Sequence, residues 1–392
     1  MVREVVITSA CRTPIGSFGG SLSSLSAPRL GAIVIQEAIS RSGIRKEEVS
    51  EVIMGCVLSA GIGQAPARQA ALFAELPPTV ETMTINKVCG SGLKAVMLAT
   101  QAVALGDADI IIAGGMESMS NVPYLLEKAR SGYRMGHGQL VDGMIKDGLW
   151  DVYNDFHMGN AAELCAKECS VPRNAQDEFS VRSYKRALDA QKNGHFRDEI
   201  VPVQVPQKST EPNSVTEDEE PKKVKFDRIT SLKPAFLKDG TVTAANASKI
   251  NDGAAAVVVM SREQAERCGV KPLARITAYA SAAKKPEWFT TAPADVISKV
   301  LQRAGLTKED IDLFEINEAF AVVNLAVNKL LGLDNEKINV NGGAVALGHP
   351  IGASGARILV TLLHAMKQRV ARRGMAAICI GGGEASGMIV ER

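Results

Sequence analysis

Apolar residues recur along this chain in two alternating rhythms. Short apolar runs at 5–8, 51–55 and 109–113 have the length and content of buried strands. Residues 29–42 and 92–105 repeat their apolar positions every three or four residues, which predicts helices with a core-facing stripe. Beyond about residue 120 the rhythm weakens. Residues 121–155 are rich in Gly, Met, Tyr and His, and 207–225 carries the charge run EDEEPKKVK. Both predict surface excursions or an inserted layer. Regular βα alternation resumes near Asn251 and continues to the end.

The two ends of the chain resemble each other. SGIRKEEVSEVIMG (42–55) aligns with AGLTKEDIDLFEIN (304–317): helix end, turn, acidic helix start, strand. CGSGLKA (89–95) aligns with GASGARI (352–358), each a small-residue turn entering a helix. DADIIIAGGMES (107–118) aligns with AAICIGGGEAS (376–386), each read as a strand opening into a Gly-rich turn. Three matched blocks in the same order predict two copies of one βα unit, separated by an insertion of roughly 130 residues.

Composition narrows the class. Aromatics are only 4% against 46% hydrophobic residues, so the core is aliphatic, and 35 glycines supply many tight turns. That mixture points to an α/β protein with mostly parallel strands. A net charge of +2 argues against nucleic acid as the main partner. No apolar run approaches the roughly 20 residues of a bilayer span, and the N-terminus enters a strand-like run at once, without the pattern of a signal or transit segment. Seven scattered cysteines do not form a disulfide framework. The expectation is a cytoplasmic protein with reduced thiols.

Four places can carry chemistry. Cys89, in TINKVCGSGLKAV, meets the start of a helix, where unpaired N–H groups and the helix dipole favour a thiolate. Local sequence leaves nucleophile and packing cysteine evenly matched. His349, framed by Gly348 and Pro350, is a candidate base, although a lone GHP more often marks a surface loop. Cys379 ends an apolar strand that runs into Gly381, Gly382 and Gly383. It reads as a second reactive thiol beside glycine N–H groups, against the commoner inert strand cysteine. Asn317 and Glu318 stand at a strand end, as site residues or as a helix cap. Cys165 and Cys169, four apart with His157 upstream, lack a second ligand pair, and core packing is the stronger reading. None of the glycine elements forms a dinucleotide fingerprint.

Taken in order, ACRTPIG, NKVCGSGLKA, AGGMESMS, GTVTAANASKINDGAAA, INEAFA, GGAVALGHPIGASGAR and CIGGGEASGM resemble the thiolase family along the whole chain, closest to its short-chain acetyl-CoA C-acetyltransferase branch. The resemblance implies two similar βα halves in a five-layered αβαβα core. The first half would take 1–120 plus 250–270, the second 271–392, and 121–249 would be a coenzyme A-binding loop domain. It implies that Cys89 carries the acyl group as a thioester, activated by His349, and that Cys379 moves the proton at the reacting methyl carbon. The two cysteines would be two acidic thiols. His349 and a water on Asn317 would hold one oxyanion, and the N–H groups of Cys89 and Gly381 the other. Leu149, His157, Met158, Phe236, Ala244, Ser248 and Phe320 would contact coenzyme A, with Lys222 and Lys223 near its phosphates. Coenzyme A enters as a substrate, with acetyl-CoA and acetoacetyl-CoA, and no metal or redox cofactor is implied. The rival readings are a degradative 3-ketoacyl-CoA thiolase, a synthase of the same fold, and a non-catalytic acyl-CoA-binding protein. A homotetramer is implied, with 121–139 a candidate contact. Pro221 replaces the tyrosine of potassium-activated members, which argues against potassium dependence. Phe289 replaces the methionine of many short-chain members, which raises acceptance of a 2-methyl substrate.

Overall fold

The computed structural model describes residues 2–207 and 211–392; positions 208–210, within the expected charged excursion, lie outside the described residues. The first set of strands is β1 (Val5–Arg12), β2 (Glu51–Gly55), β3 (Glu81–Ile85), β4 (Ile110–Ser118) and β5 (Asn251–Ser261). The second is β6 (Ala274–Ala283), β7 (Leu313–Ile316), β8 (Arg373–Ile380) and β9 (Glu384–Glu391). They hydrogen-bond in the order β7-β8-β9-β6-β1-β5-β4-β2-β3. Only two residue pairs join β6 to β1, Arg275 with Val6 and Ala274 with Ile7, so the ladder divides there into two leaves.

The helices are α1 (Ala27–Ser42), α2 (Pro66–Phe73), α3 (Ser91–Leu105), α4 (Met158–Glu168), α5 (Arg173–Lys192), α6 (Arg262–Arg267), α7 (Ala292–Ala304), α8 (Ala321–Leu331), α9 (Ala344–Leu347) and α10 (Ile351–Gln368). Strand periodicity assigns their layers. On β5, Ala254, Ala256, Val258 and Met260 pack with α1 and α2, while Ala255, Val257 and Val259 face α3 and α10. On β8, Ala376 and Ile378 reach that same central layer, whereas Met375, Ala377 and Cys379 pack toward α7 and α8. The result is the expected αβαβα layering, with one helix pair enclosed by both leaves, but the strands are not mostly parallel: β1/β5, β1/β6, β4/β5, β6/β9 and β8/β9 pair antiparallel, and only β2/β3, β2/β4 and β7/β8 pair parallel. Residues 88–105 have the mean hydropathy of a membrane span, 1.4, because α3 belongs to that enclosed pair.

The enclosed helices approach closely at matched positions of the repeat. A Cβ on Gly92 would lie 2.6 Å from the Ala356 nitrogen, and one on Gly355 would lie 2.4 Å from the Leu93 nitrogen. Neither obstacle is a flexible side chain. Gly355→Ala is therefore expected to cost about 1–3 kcal/mol through overpacking, read as a lower thermal midpoint. An unchanged midpoint would mean that the helix pair separates freely.

The repeat is visible elsewhere. α1 and α7 each end at a left-handed glycine, Gly43 and Gly305. Each is followed by a turn in which a backbone N–H, of Arg45 or Thr307, donates to the carboxylate of Glu48 or Asp310 at 2.8 Å, before β2 or β7 begins. The GGMES segment departs from expectation. It continues β4 to Ser118 instead of turning, and its glycines admit neighbours: Cβ atoms on Gly114 and Gly115 would meet the Ala255 and Gly352 oxygens at 2.1 Å. The intervening segment contributes α4 and α5, which lean on α8, and α5 also covers α9.

Candidate active site

Cys89 occupies a tight turn between β3 and α3. Lys87 N–H donates to Ser91 Oγ at 2.8 Å, Ser91 Oγ donates to the Val88 oxygen at 2.7 Å, and Val88 N–H donates to Asn86 Oδ1 at 2.9 Å. Val88 itself takes φ 44°, a region where a β-branched residue costs about 1–3 kcal/mol. Lys87 Nζ also pairs with Glu384 of β9, fastening the turn to the other half. The backbone N–H groups of Gly381 and of Cys89 itself act on the sulfur and favour the thiolate, but burial outweighs them and pushes the thiol up to about 11. The helix start alone does not make an acidic thiol, contrary to expectation.

His349 is buried between α9 and α10, and its backbone N–H donates to Asn251 Oδ1 at 2.9 Å. Its Nδ1 lies 2.6 Å from Ser354 Oγ, whose single proton goes to the Pro350 oxygen at 2.8 Å. The hydroxyl can then only accept, so Nδ1 carries the ring proton and Nε2 keeps its lone pair. That Nε2 has no partner among the described residues. Burial, aided by the Arg357 charge, lowers the imidazole to about 3, so it is neutral at physiological pH.

Cys379 ends β8, almost fully buried. Burial raises its thiol far above the ordinary range and the neighbouring Cys89 raises it further, while the N–H groups of Cys379 and Ala319 act the other way. It too is a neutral thiol at rest rather than an acidic one. The following turn needs glycine at 383, where φ is 86° and a Cβ would meet the Lys284 oxygen at 2.4 Å. Asn317, fully buried after β7, leaves both its amide oxygen and its amide nitrogen without a partner among the described residues. A buried amide in that state suits a polar ligand.

Cys89, His349 and Gly381 line one cavity of about 290 Å³ with Leu149, His157, Met158, Phe236, Ser248, Phe289 and Phe320. In a chain with so few aromatics, four rings gather here. His157 stacks on Phe236 at 4.8 Å, and Phe320 meets Phe236 and Phe289 edge to face at 6.2 and 6.4 Å. The wall is apolar, suited to a flexible thioester arm rather than a charged ligand. Cys379 and Asn317 are buried and are not among the lining residues, but Cys379 interacts with the lining Cys89 and with the Ala319 N–H. Ala244 is outside the lining: the residue is exposed, and Ala247 takes the place at the wall. Lys222 and Lys223 do not line the cavity and pair with Glu217 and Glu220. Cys165 is buried in the apolar cluster under α8, 3.8 Å from the Cys169 sulfur.

Two supporting residues, Glu117 and Lys249, escape sequence reasoning, and a third, Glu318, takes a task that the sequence leaves open. Glu117, buried at the end of β4, accepts from the N–H groups of Val57, Leu58 and Gly352, at 3.0, 3.2 and 2.9 Å, and so clasps the start of α10 from the first half. Burial lifts it to about 7. Glu318 settles the open question at 317–318: it accepts from Ser183 Oγ, Asn339 Nδ2 and the Val345 N–H, holding the segment that leads to His349. Lys249 also lines the cavity. The GGMES and NEAF strings mark the two carboxylates; only their partners, distant in sequence, reveal their task.

Comparison with known proteins gives the family. The thiolase N-terminal domain model matches residues 5–263 and the thiolase C-terminal domain model matches 270–392. An acetyl-CoA acetyltransferase of Cupriavidus necator is 57% identical over 390 residues, 99% of each chain. The mitochondrial acetyl-CoA acetyltransferase of Bos taurus is 55% identical over 392 residues, 100% of this chain and 92% of its own length. The crystal structure of the Bacillus anthracis acetyl-CoA acetyltransferase superposes with TM-score 0.97 at 43% identity, covering 100% of this chain and 99% of that one. With both domain models matched end to end and the enclosed helix pair in place, the chain belongs to the thiolase family.

Proposed function

We propose that the protein is an acetyl-CoA C-acetyltransferase, an acyltransferase that joins two acetyl-CoA into acetoacetyl-CoA and coenzyme A, and reverses the reaction. The observation that carries this reading is the unpartnered His349 Nε2 in a cavity shared with the neutral Cys89 thiol, with Cys379 neighbouring that thiol. His349 takes the Cys89 proton as the sulfur attacks the acetyl carbonyl. The carbonyl oxygen becomes an oxyanion held by the N–H groups of Cys89 and Gly381. Coenzyme A leaves as a thiolate and takes its proton from Cys379. A Cys379 thiolate and a His349 imidazolium remain, each stabilising the other's charge.

Cys379 then removes a methyl proton from the second acetyl-CoA. The enolate oxygen rests on the His349 imidazolium and a water held by Asn317, and its carbon attacks the acetyl-Cys89 carbonyl. Cys89 leaves as a thiolate and recovers the proton from His349. Atoms and protons balance over the cycle. Two high resting pKa values suit this sequence, since each thiol ionises only when its proton has an acceptor.

A cytoplasmic homotetramer without metal or redox cofactor completes the proposal. Seven free thiols fit a reducing compartment, and the exposed Tyr124, Leu126, Met135 and Leu140 offer an apolar contact for a second copy. Light scattering should return the mass of four chains.

The test is coenzyme A-dependent thiolysis of 3-ketoacyl-CoAs from four carbons upward. Turnover confined to acetoacetyl-CoA is expected, because Phe289 and Phe320 close the wall around a small acyl group. Equal turnover of long chains would assign the degradative reaction instead, and no turnover of any would leave an acyl-CoA-binding protein. Parallel assay of the 2-methyl analogue decides whether Phe289 admits a branch.

A further inference from the structure

Lys249 is the only ammonium among the lining residues of the cavity, and its surroundings are unusual. Its Nζ donates to two backbone oxygens, Ala247 at 2.7 Å and Val345 at 3.2 Å, and stands 5.5 Å from the centre of the Tyr184 ring. Its near partners are carbonyl dipoles and a ring face rather than a carboxylate. The two carbonyls belong to segments far apart in sequence. Ala247 precedes Ser248 on the cavity wall, and its neighbour's N–H donates to the Ala319 oxygen at 2.9 Å. Val345 lies in α9, four residues before His349. Glu318 holds Val345 by its N–H, at 3.1 Å, so the peptide units on both sides of Val345 are gripped, one by a carboxyl oxygen and one by the lysine nitrogen.

We propose that Lys249 is a positioning residue for the acyl-transfer reaction: its ammonium ties the 247–250 wall to the 343–349 segment and thereby keeps His349 Nε2 aimed into the cavity. The inference rests on the proposed function, and its test compares variants with the active wild type, so the two can fail separately. The titratable groups facing Lys249 are Tyr184 from α5, Glu220 beside the 221–223 turn and Glu318 after β7. Burial lowers the ammonium to about 8, while Glu220 and Glu318 act to raise it. The tie is therefore charged at neutral pH and loosens as pH rises through that value.

Lys249→Met should lose about 10- to 100-fold in kcat for acetoacetyl-CoA thiolysis, with KM within about twofold of wild type, because a base displaced by an ångström loses its geometry. Lys249→Ala should lose as much and regain rate, saturably, on addition of ethylammonium, which restores a cation between the two carbonyls. Lys249→Arg, which keeps its charge, should lack the fall in kcat expected of the wild type above pH 8. A Lys249→Met enzyme with wild-type kcat overturns the proposal. If that variant does not fold, a Lys249→Ala enzyme indifferent to ethylammonium overturns it equally.

Discussion

Replacing Cys89 with alanine is expected to reduce acetoacetyl-CoA thiolysis by ~10⁴-fold or more, leaving coenzyme A binding nearly intact. The cavity wall is built from Leu149, Met158, Phe236 and Phe320, none of which depends on the sulfur, so the arm still docks. What disappears is the atom to which the proposal gives the bond with the acyl carbon. Cys379 does not line the cavity and its thiol is held neutral. Mass spectrometry of the wild type after acetyl-CoA addition should locate an acetyl group on the peptide containing Cys89. Residual turnover in the alanine variant above a few per cent, or acetylation on another peptide, would remove Cys89 from the role given to it.

His349→Ala should lose about 10³- to 10⁴-fold at pH 7, and its pH profile should change shape. In the wild type the imidazole, lowered to about 3, remains an unprotonated base throughout neutral pH, so kcat should vary little on the acid side of neutrality. In the variant nothing accepts the thiol proton, and the rate should track the Cys89 thiolate, climbing about tenfold per pH unit toward the thiol value of about 11. A variant with a flat alkaline limb would show that the base lies elsewhere. The same histidine influences stability. Its folded value lies below the ordinary 6.5, so the unfolded chain takes up a proton first as pH falls, and this contribution to stability is lost between 6.5 and about 3.

Much of the scaffold is legible in the sequence because it rests on local rules. Residues 51–55 are a strand as their pattern predicts, and 29–42 and 92–105 are helices to within two residues. The repeat is legible because both copies use the same left-handed glycine and the same acidic turn. The run at 5–8 falls short: β1 continues to Arg12, a fully buried guanidinium neutralised by Glu199 at 2.6 Å and Asp218 at 2.7 Å. No local pattern announces partners about 200 residues away. GGMES reads as a turn because glycine usually breaks strands, yet here it permits backbone approach across the sheet. Chemistry is harder to read than fold. Position in a motif suggests which cysteine matters, but not its ionisation, since burial rather than the helix start governs it. Lys249 resembles any loop lysine until both carbonyls are in view.

The proposed catalytic groups are divided between the halves: Cys89 comes from the first, His349 and Cys379 from the second, and Glu117 and Lys87 reach across to bind them together. A ribosome delivers these parts in order, Cys89 nearly three hundred residues ahead of β8 and its glycine turn. On the proposed mechanism the cysteine of a partial chain lacks its base, its second thiol and the Gly381 N–H, so acylation by cellular thioesters waits until β8 docks, and completed folding is the step that makes Cys89 reactive.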